Sequence, residues 1–257
     1  FRLMRVRLLI LDASLEEAES ELDEIEASFP LTHEFYLEKV LLLRILEKDE
    51  DVLELLEKAY VLAPDDPEVL LSLIYEAISR NEMDKAVKYM ETAIEADDSF
   101  EEKLFTIANY IEENENLDYD DAIKFFSSLT NKFPLCTGAW FALGSAYKSA
   151  GQFEKAIEAY LYTLSTDDNA LVAYYNIGNA YFEMGEYEKA REAYLKNLKD
   201  DSTDYLTLNA IAHCYQSENN ETEALRYFQK SFNINENNPG AIIGITTIFI
   251  NLKKIIV

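Results

Sequence analysis

Glycine and proline are scarce in this sequence, with 7 and 5 among 257 residues. These residues form most of the tight turns that a protein of many β-strands needs, so their scarcity favours a mostly helical fold. Cysteine is rarer still. Cys136 and Cys214 have no metal-ligand spacing and are too few for a disulfide framework, which fits a reduced, cytoplasmic location.

Positive charge is also in short supply, because 23 basic residues are set against 49 acidic ones and the formal net charge is -26. A field of this sign repels phosphate backbones and anionic lipid headgroups, so neither nucleic acid nor membrane is expected as a partner. A basic or apolar protein or peptide is favoured instead. No apolar run approaches the ~20 residues of a membrane-spanning helix. The sequence begins with Phe1 rather than Met, so a lost signal peptide stays open as an alternative to the cytoplasmic location.

The most informative pattern is a repeated segment. AWFALGSAYKSAGQFEKAIEAY begins at Ala139, and AYYNIGNAYFEMGEYEKAREAY begins at Ala173, so the two copies are offset by 173 − 139 = 34. The aligned pairs include Leu143 with Ile177, Gly144 with Gly178, Tyr147 with Tyr181, Gly151 with Gly185, Ala156 with Ala190 and Tyr160 with Tyr194. Four of the seven glycines fall in two of these columns, which chance rarely produces.

Each copy predicts a pair of helices. Its apolar residues recur at steps of three and four, the period of a helix with one buried face. Gly151 follows the first such run and can adopt the left-handed conformation that ends many helices. Gly144 and Ala156 are small enough to let two helices approach closely. Each copy should therefore form a helix, a short turn and a second, antiparallel helix.

This pattern resembles the tetratricopeptide repeat, in which W-x2-L-G-x2-Y is followed by A-x3-F and a final proline at a period of about 34 residues. The resemblance is carried by Trp140, Leu143, Gly144, Tyr147, Ala156 and Tyr160. It implies an all-α fold, a right-handed superhelical α-solenoid of antiparallel helix pairs with about seven and a half repeats. Neighbouring repeats of such a solenoid bury each other's apolar faces.

The repeat frame extends along the chain and predicts one domain, 1–257. It divides into a truncated repeat 1–32, full repeats 33–66, 67–100, 101–136, 137–170, 171–204 and 205–238, and a half repeat 239–257. The repeat 101–136 requires a two-residue insertion, which we place in the segment ENENLDYDD.

Polar residues at the repeat junctions predict helix starts. Asp66 before Pro67 and Asn238 before Pro239 combine a capping side chain with a proline at the first helical position. The further residues expected to cap first helices are Ser99, Thr137 and Asp204.

In the tetratricopeptide family, the first helices of successive repeats line a concave groove that holds an extended peptide or a partner helix. The resemblance implies that this groove is lined by Phe141, Ser145, Lys148, Tyr175, Asn176, Asn179, Phe182, Asn209 and His213, and upstream by Leu37, Leu41, Arg44, Leu71, Tyr75, Phe105 and Asn109. Aromatic rings can bury apolar side chains, and amides can pair with both N–H and C=O groups of a peptide. The alternative is that these are ordinary packing residues of amphipathic helices.

One subgroup of this family clamps the acidic tail of a chaperone with Lys and Arg at groove positions. Here the fifth residues of three successive repeats are Phe141, Tyr175 and Asn209 instead of Lys, and the chain is strongly acidic, so a carboxylate clamp is not expected. No catalytic, metal or cofactor site is expected either. His33 and His213 belong to no nucleophile or metal motif, and no glycine-rich phosphate loop is present.

The sequence therefore predicts a non-enzymatic protein–protein interaction scaffold that binds a peptide or protein segment in its groove. Two alternatives stay open. The chain could be a regulatory or docking domain of a larger enzyme or transport assembly. It could also be a structural protein that self-assembles through its open C-terminal end, with a homodimer formed through residues 239–257.

Overall fold

The computed structural model describes residues 1–48, 51–113, 118–167, 169–199 and 202–256. For residues 98, 112–113 and 251–256 it describes the backbone alone. In these residues the regular secondary structure is entirely helical, which confirms the all-α prediction. The predicted two-residue insertion falls partly on 114–117, outside the described residues.

The described chain contains fifteen α-helices. In order they are α1 (Arg2–Leu11), α2 (Leu15–Ser28), α3 (His33–Ile45), α4 (Val52–Leu62), α5 (Pro67–Ser79), α6 (Met83–Ala96), α7 (Lys103–Glu113), α8 (Tyr119–Lys132), α9 (Thr137–Ser149), α10 (Phe153–Thr166), α11 (Val172–Glu183), α12 (Tyr187–Asn197), α13 (Tyr205–Ser217), α14 (Glu221–Ile234) and α15 (Pro239–Ile256). A short 3₁₀-helix, Asp98–Glu102, precedes α7.

These helices belong to two compact units, Phe1–Leu117 and Asp118–Val257. The first unit contains α1 to α7 and the second contains α8 to α15. Within each unit a helix packs mainly against its neighbours in the sequence, as expected when each structural unit contacts only the adjacent ones. The single-domain organisation and the repeat boundaries stay predictions.

Three of the predicted helix caps are confirmed. The Asp66 carboxylate accepts hydrogen bonds from the backbone N–H groups of Glu68 and Val69, both at 3.0 Å. Asp204 caps α13 in the same way, and the side-chain oxygen of Asn238 accepts from Gly240 N at 3.1 Å. These contacts satisfy N–H groups that have no partner within the helix.

Two predicted caps are wrong. Cys136, rather than Thr137, occupies the N-cap position of α9, and the Thr137 hydroxyl instead donates to Thr166 Oγ1 at 3.0 Å. Ser99 lies inside the 3₁₀-helix, where Asp97 is the cap and accepts from Ser99 N at 2.9 Å. The observed N-cap lies one residue before Thr137 in the first case and two residues before Ser99 in the second, where a 3₁₀-helix precedes α7.

Left-handed residues end the first helices at regular intervals. Gly151 and Gly185 have φ of 70° and 76°, as predicted. Asn219 follows Gly185 at the repeat interval, since 219 − 185 = 34, and has φ of 59° although it is not a glycine. In the first unit the same spacing separates the left-handed residues Ala13 (57°), Glu47 (57°) and Asn81 (58°). The period is therefore visible in the backbone even where the sequence provides no glycine.

The core of the second unit depends on close contact between a ring and a glycine. Tyr160 and Tyr194 are 0% and 2% exposed. A Cβ atom added to Gly144 would lie 2.7 Å from Tyr160 Cδ1, and one added to Gly178 would lie 2.4 Å from Tyr194 Cε1. Each tyrosine therefore packs directly on the backbone of the first helix of its own pair.

In the helix pair α13 and α14, the equivalent ring packs on a glycine of the next helix, α15. Phe228 is the repeat equivalent of Tyr194, since 228 − 194 = 34. It is fully buried against Gly244 of α15, where an added Cβ would lie 2.4 Å from Cζ. Ala212 occupies the position equivalent to Gly178. In each of these three pairs the buried ring of the second helix packs against a neighbouring helix that carries a glycine.

Candidate functional site

The predicted groove residues lie on three adjacent helices of the second unit. Three are on α9, four on α11 and two on α13, and α11 contacts both α9 and α13. We call the surface formed by α9, α11 and α13 the first-helix face. The structure thus brings the nine residues onto neighbouring helices, but it gives them different surroundings.

Lys148 and Asn176 link two of these helices. Lys148 Nζ on α9 donates to Asn176 Oδ1 on α11 at 3.5 Å, and Asn176 Nδ2 donates to the carbonyl oxygen of Val172 at 3.3 Å. Both side chains are half-buried. Their polar atoms are therefore held in place at the junction of α9 and α11.

Tyr175, Asn179 and Tyr194 form a connected cluster. The Tyr194 hydroxyl donates to Asn179 Oδ1 at 2.7 Å, and the Tyr194 ring packs against the Tyr175 ring. The two rings have centroids 5.6 Å apart. Burial, with a smaller effect from Asp204, raises the pKa of Tyr175, so its hydroxyl stays protonated and can donate. The cluster fixes the Tyr175 ring beside the surface.

Two predicted groove residues are buried. Ser145 is 8% exposed, and its hydroxyl lies 3.2 Å from the hydroxyl of Tyr160. Asn209 is 7% exposed, and among the described residues its Oδ1 has no hydrogen-bond partner. Ser145 therefore serves the packing of its own helix pair, which is the alternative interpretation of these positions.

The other three predicted residues each contact a ring on the following helix. The centroid distances are 5.5 Å for Phe141 and Tyr160, 5.3 Å for Phe182 and Tyr187, and 5.0 Å for His213 and Phe228. His213 is exposed, with Nδ1 3.3 Å from Gln216 Oε1, whereas Phe141 and Phe182 are half-buried. All three can contribute to the surface while also packing against the second helix.

A pocket beside Tyr175 was not identified from the sequence. It has a volume of about 520 Å³ and is lined by Asn169, Leu171, Val172, Tyr175, Asn197, Asp204 and Leu206. Val172 and Leu206 are 51% and 53% exposed, and 206 − 172 = 34, so they are equivalent positions of successive repeats. The second position of the repeat frame belongs to the groove in this family, and this signal could have identified both residues.

The acidic side chain in this pocket is already occupied. Asp204 accepts hydrogen bonds from the backbone N–H groups of Leu206 and Thr207, and from Asn197 Nδ2 at 3.1 Å. Its carboxylate therefore acts as a helix cap, and the exposed side chains of Val172 and Leu206 give the pocket an apolar character.

A larger cavity lies in the first unit. It has a volume of about 770 Å³ and is lined by Arg44, Tyr75, Glu76, Ser79, Arg80, Thr106, Asn109 and Tyr110. Three upstream groove residues, Arg44, Tyr75 and Asn109, line it. Phe105 is 41% exposed, and Leu37, Leu41 and Leu71 are half-buried outside the cavity lining. The sequence did not identify Glu76 or Arg80.

The cavity contains a compact charged network. Arg44 Nη2 lies 3.3 Å from Glu76 Oε2, and Arg80 Nε lies 2.6 Å from Glu76 Oε1. Glu76 is 8% exposed, so its carboxylate is held inside while the two guanidinium groups remain partly exposed. The rings of Tyr75 and Tyr110 meet edge to face with centroids 4.8 Å apart.

In the part of the chain that the structure describes, no group of three or more His, Cys, Asp or Glu side chains could hold a metal ion. None of the described helices combines the length and the apolar character needed to cross a membrane. Cys214 is fully buried, and burial raises the pKa of its thiol to about 12, so it is an unreactive core residue.

Comparisons with known proteins identify the repeat. Family models described as tetratricopeptide repeats match residues 172–199 and 206–238, and a model described as a TPR repeat matches 144–185. No curated protein matches the chain.

Solved structures show the same fold at low sequence identity. The C-terminal part of a TPR repeat-containing protein from Cytophaga hutchinsonii is 15% identical over 95% of this chain and 99% of that chain, with a TM-score of 0.58. A crystal structure of MamA protein is 23% identical over 66% and 92%, with a TM-score of 0.51. The APC/C hetero-tetramer Cut9–Hcn1 is 15% identical over 96% of this chain and 48% of that chain, with a TM-score of 0.53. At these identities the likeness shows the fold alone.

Proposed function

Because this chain is a tetratricopeptide-repeat protein, we propose that it is a non-enzymatic interaction scaffold that binds a peptide or protein segment on its first-helix face. Repeats of this family support protein–protein interaction in general. The observation that carries the specific proposal is the pocket beside Tyr175, in which two equivalent apolar side chains, Val172 and Leu206, are about half exposed.

The pocket suits an apolar side chain of a bound segment. Its volume of about 520 Å³ lies within the ~300–1,000 Å³ typical of ligand clefts. Covering Val172 and Leu206 removes apolar surface from water, which favours binding. The Tyr175 ring is half-buried and packs against the Tyr194 ring before any ligand arrives, so little conformational freedom is lost there on binding.

The surroundings favour basic residues next to that apolar anchor. The formal net charge of the chain is -26, which attracts positively charged segments and increases their association rate. Because Asp204 is occupied as a helix cap, this attraction comes from the whole chain rather than from a single contact in the pocket. We therefore expect a segment with an apolar anchor and flanking Lys or Arg.

A paired set of variants tests this proposal. Val172→Ser with Leu206→Ser removes the apolar walls of the pocket. Leu161→Ser with Leu195→Ser is the matched control, because these leucines are similarly exposed, at 51% and 46%, but lie on the second helices α10 and α12. Exposed substitutions of this kind usually change stability by less than about 0.5 kcal/mol.

The measurement starts from peptides selected on the wild-type protein from a random phage-displayed library. Their affinities are then measured by fluorescence anisotropy with each variant. We expect selected peptides to bind the pocket variant about tenfold more weakly, a difference of about 1.4 kcal/mol, and to bind the control like the wild type. Equal binding by the pocket variant and the wild type would show that the first-helix face is not the binding surface.

Self-assembly through α15 is a second candidate function, favoured by the exposure of apolar residues on that helix. Ile242, Ile243, Phe249 and Ile250 are 44%, 64%, 51% and 50% exposed. Isolated patches of this kind often mark interaction sites. If this candidate is right, sedimentation velocity should show that the wild-type chain is a dimer. The double variant Ile243→Asp with Phe249→Asp should then be a monomer. A wild-type chain that stays monomeric at high concentration would exclude self-assembly through α15.

A further inference from the structure

The helix α1 is apolar on two opposite sides. Its inner side belongs to the core of the first unit, where Val6 and Ile10 are 0% and 5% exposed. Its outer side carries Met4, Leu8 and Leu11, which are 68%, 57% and 74% exposed. We call these three residues the outer α1 face. A helix that is apolar all round is normally buried, and exposed apolar patches often mark interaction sites, so this face indicates a contact with another surface.

The spacing of the outer α1 face is that of a seam between two helices. Its residues are 8 − 4 = 4 and 11 − 8 = 3 positions apart, the steps that alternate along helices packed side by side. The spacing is symmetrical about Leu8 to within one residue. A second α1 helix that runs antiparallel to the first would therefore bring the two Leu8 side chains together and place Met4 of each copy against Leu11 of the other.

We propose that the outer α1 face binds the same face of a second copy of this chain, in a two-fold symmetric, antiparallel pair of α1 helices. Each contact away from the two-fold axis of such an interface occurs twice. The interface lies in the first unit, whereas the pocket beside Tyr175 and the helix α15 lie in the second. It is therefore independent of both functions proposed above.

Charge complementarity favours a second copy as the occupant. Arg5 and Asp12 are 12 − 5 = 7 residues apart, so they lie on the same flank of α1, beside Leu8. In the antiparallel pair, Arg5 of each copy lies opposite Asp12 of the other, and two equivalent ion pairs can form. Arg5 is 60% exposed and contacts Glu21 through Nη1 at 2.8 Å, so its guanidinium group has further N–H donors for an incoming carboxylate.

Asp12 lies where an isolated helix disfavours it. It directly follows Leu11, the last residue of α1, and its side chain is exposed. The C-terminal end of a helix has a partial negative charge, so a carboxylate at this position is locally unfavourable. A guanidinium group from a second copy would offset that cost, which the contacts of α1 within its own copy do not explain.

The overall charge opposes the association of two copies, but the surroundings of α1 reduce this effect. The chain has a formal net charge of -26. The helix α1 itself has three arginines and no acidic residue. Each arginine contacts a glutamate of α2 or α3 in its own copy, in the pairs Arg2 with Glu24, Arg5 with Glu21 and Arg7 with Glu38. These six side chains have a net charge of 3 − 3 = 0, so two outer α1 faces can approach without strong local repulsion.

Sedimentation velocity of the full chain tests for the dimer. Two helices of ten residues form a small interface, at or below the ~1,200 Å² of weak transient complexes. We therefore expect a reversible dimer with a dissociation constant on the order of tens of micromolar. Over a concentration series that spans this value, the wild-type chain should pass from monomer to dimer.

Substitutions test the seam and the ion pairs separately. Leu8→Asp brings two carboxylates together at the two-fold axis and should weaken the dimer at least about tenfold. Asp12→Arg places two arginines against each other and should weaken it about fivefold, whereas Asp12→Asn only removes an attraction and should weaken it about twofold. Both positions are exposed, and circular dichroism shows whether the helicity of each variant is unchanged.

Two controls should dimerise like the wild type. Leu62→Asp is matched to Leu8→Asp, because Leu62 is 51% exposed and lies on α4 of the same unit. The α15 variant Ile243→Asp with Phe249→Asp should also retain the dimer. Failure of this proposal and failure of self-assembly through α15 can therefore be told apart.

Cross-linking tests the position of the two-fold axis. Leu8→Cys with a short bis-maleimide reagent should give a covalent dimer in high yield, since the two thiols would face each other. The native residues Cys136 and Cys214 are 1% and 0% exposed, so they should not react in the folded chain. Leu62→Cys is the control for random collision and should give little covalent dimer.

Three results would overturn the proposal. They are a wild-type chain that stays monomeric throughout the concentration series, a dimer that Leu8→Asp leaves intact, and equal cross-linking of Leu8→Cys and Leu62→Cys. The first would leave the outer α1 face to a different molecule, the second would place the interface elsewhere, and the third would show that the copies meet without a specific orientation.

Discussion

Gly178→Ala is expected to destabilise the second unit, although alanine is the better helix former. In an exposed helix interior this exchange stabilises by about 1 kcal/mol. At this position the new Cβ would lie 2.4, 2.5 and 2.8 Å from three ring carbons of Tyr194. These distances are far below van der Waals contact, so either the ring or the helix must move.

The ring has little room to move. Tyr194 is 2% exposed, and its hydroxyl is fixed by the 2.7 Å hydrogen bond to Asn179. Overpacking of a well-filled core typically costs about 1–3 kcal/mol, and displacing the ring would also weaken a partly buried hydrogen bond worth about 1 kcal/mol. After the helix-propensity gain of about 1 kcal/mol is subtracted, the net loss should be about 1–3 kcal/mol.

Urea unfolding followed by circular dichroism measures this loss. Tyr194→Leu provides the second edge of a double-mutant cycle, because it removes the ring atoms that the new Cβ would contact. Gly178→Ala should then be neutral or stabilising in the Tyr194→Leu background. If Gly178→Ala stabilises the otherwise wild-type chain, the close ring–glycine packing is not a rigid feature of this fold and the reasoning is refuted.

Four further outcomes are expected. Ala13 has φ of 57°, so Ala13→Gly should stabilise the first unit by up to about 1 kcal/mol in urea unfolding, and a decrease would contradict the left-handed backbone. Asp204→Ala should cost about 1–2 kcal/mol in thermal unfolding and more than Asp66→Ala, because Asp204 also accepts hydrogen bonds from the side chains of Asn197 and Thr207, whereas the Asp66 carboxylate has in addition to its cap contacts a 3.5 Å contact with His33 Nε2. Burial raises the pKa of the Glu38 carboxyl group, so the folded state retains the carboxyl proton to a higher pH than the unfolded chain does. The free energy of unfolding should therefore fall as the pH rises above about 4.5, and Glu38→Gln should reduce that fall. Cys214 should react with a thiol reagent at neutral pH only when the chain unfolds, and rapid labelling of the native protein would contradict its burial.

The helix pairs could be predicted because their signals are local. The period of the apolar residues, the two glycine columns and the capping Asp66 each act within a few positions of the chain. The left-handed residues at Glu47 and Asn81 carry a weaker signal, since neither is a glycine and only the repeat spacing connects them to Gly151. Thr137 was misassigned as a cap because its hydroxyl binds a threonine on the next helix.

The candidate site was only partly predictable, because its details depend on contacts between helices. The sequence placed Ser145 and Asn179 at equivalent positions, and each meets the tyrosine of the second helix in its own pair. Ser145 is buried at this contact, whereas Asn179 is only half-buried. The pockets depend in addition on the gaps between helices, for which a single sequence contains no direct signal.

The ring–glycine contacts determine where this chain can be cut and rejoined. In the segments 137–170 and 171–204 the tyrosine and its glycine belong to the same helix pair, so an additional copy of either segment would carry both partners with it. A junction at 238–239 separates Phe228 from Gly244. A rearranged protein in which another first helix follows α14 would need a glycine at the position of Gly244. Without it the ring would have no space, and the order of the repeats is therefore constrained by packing as well as by their period.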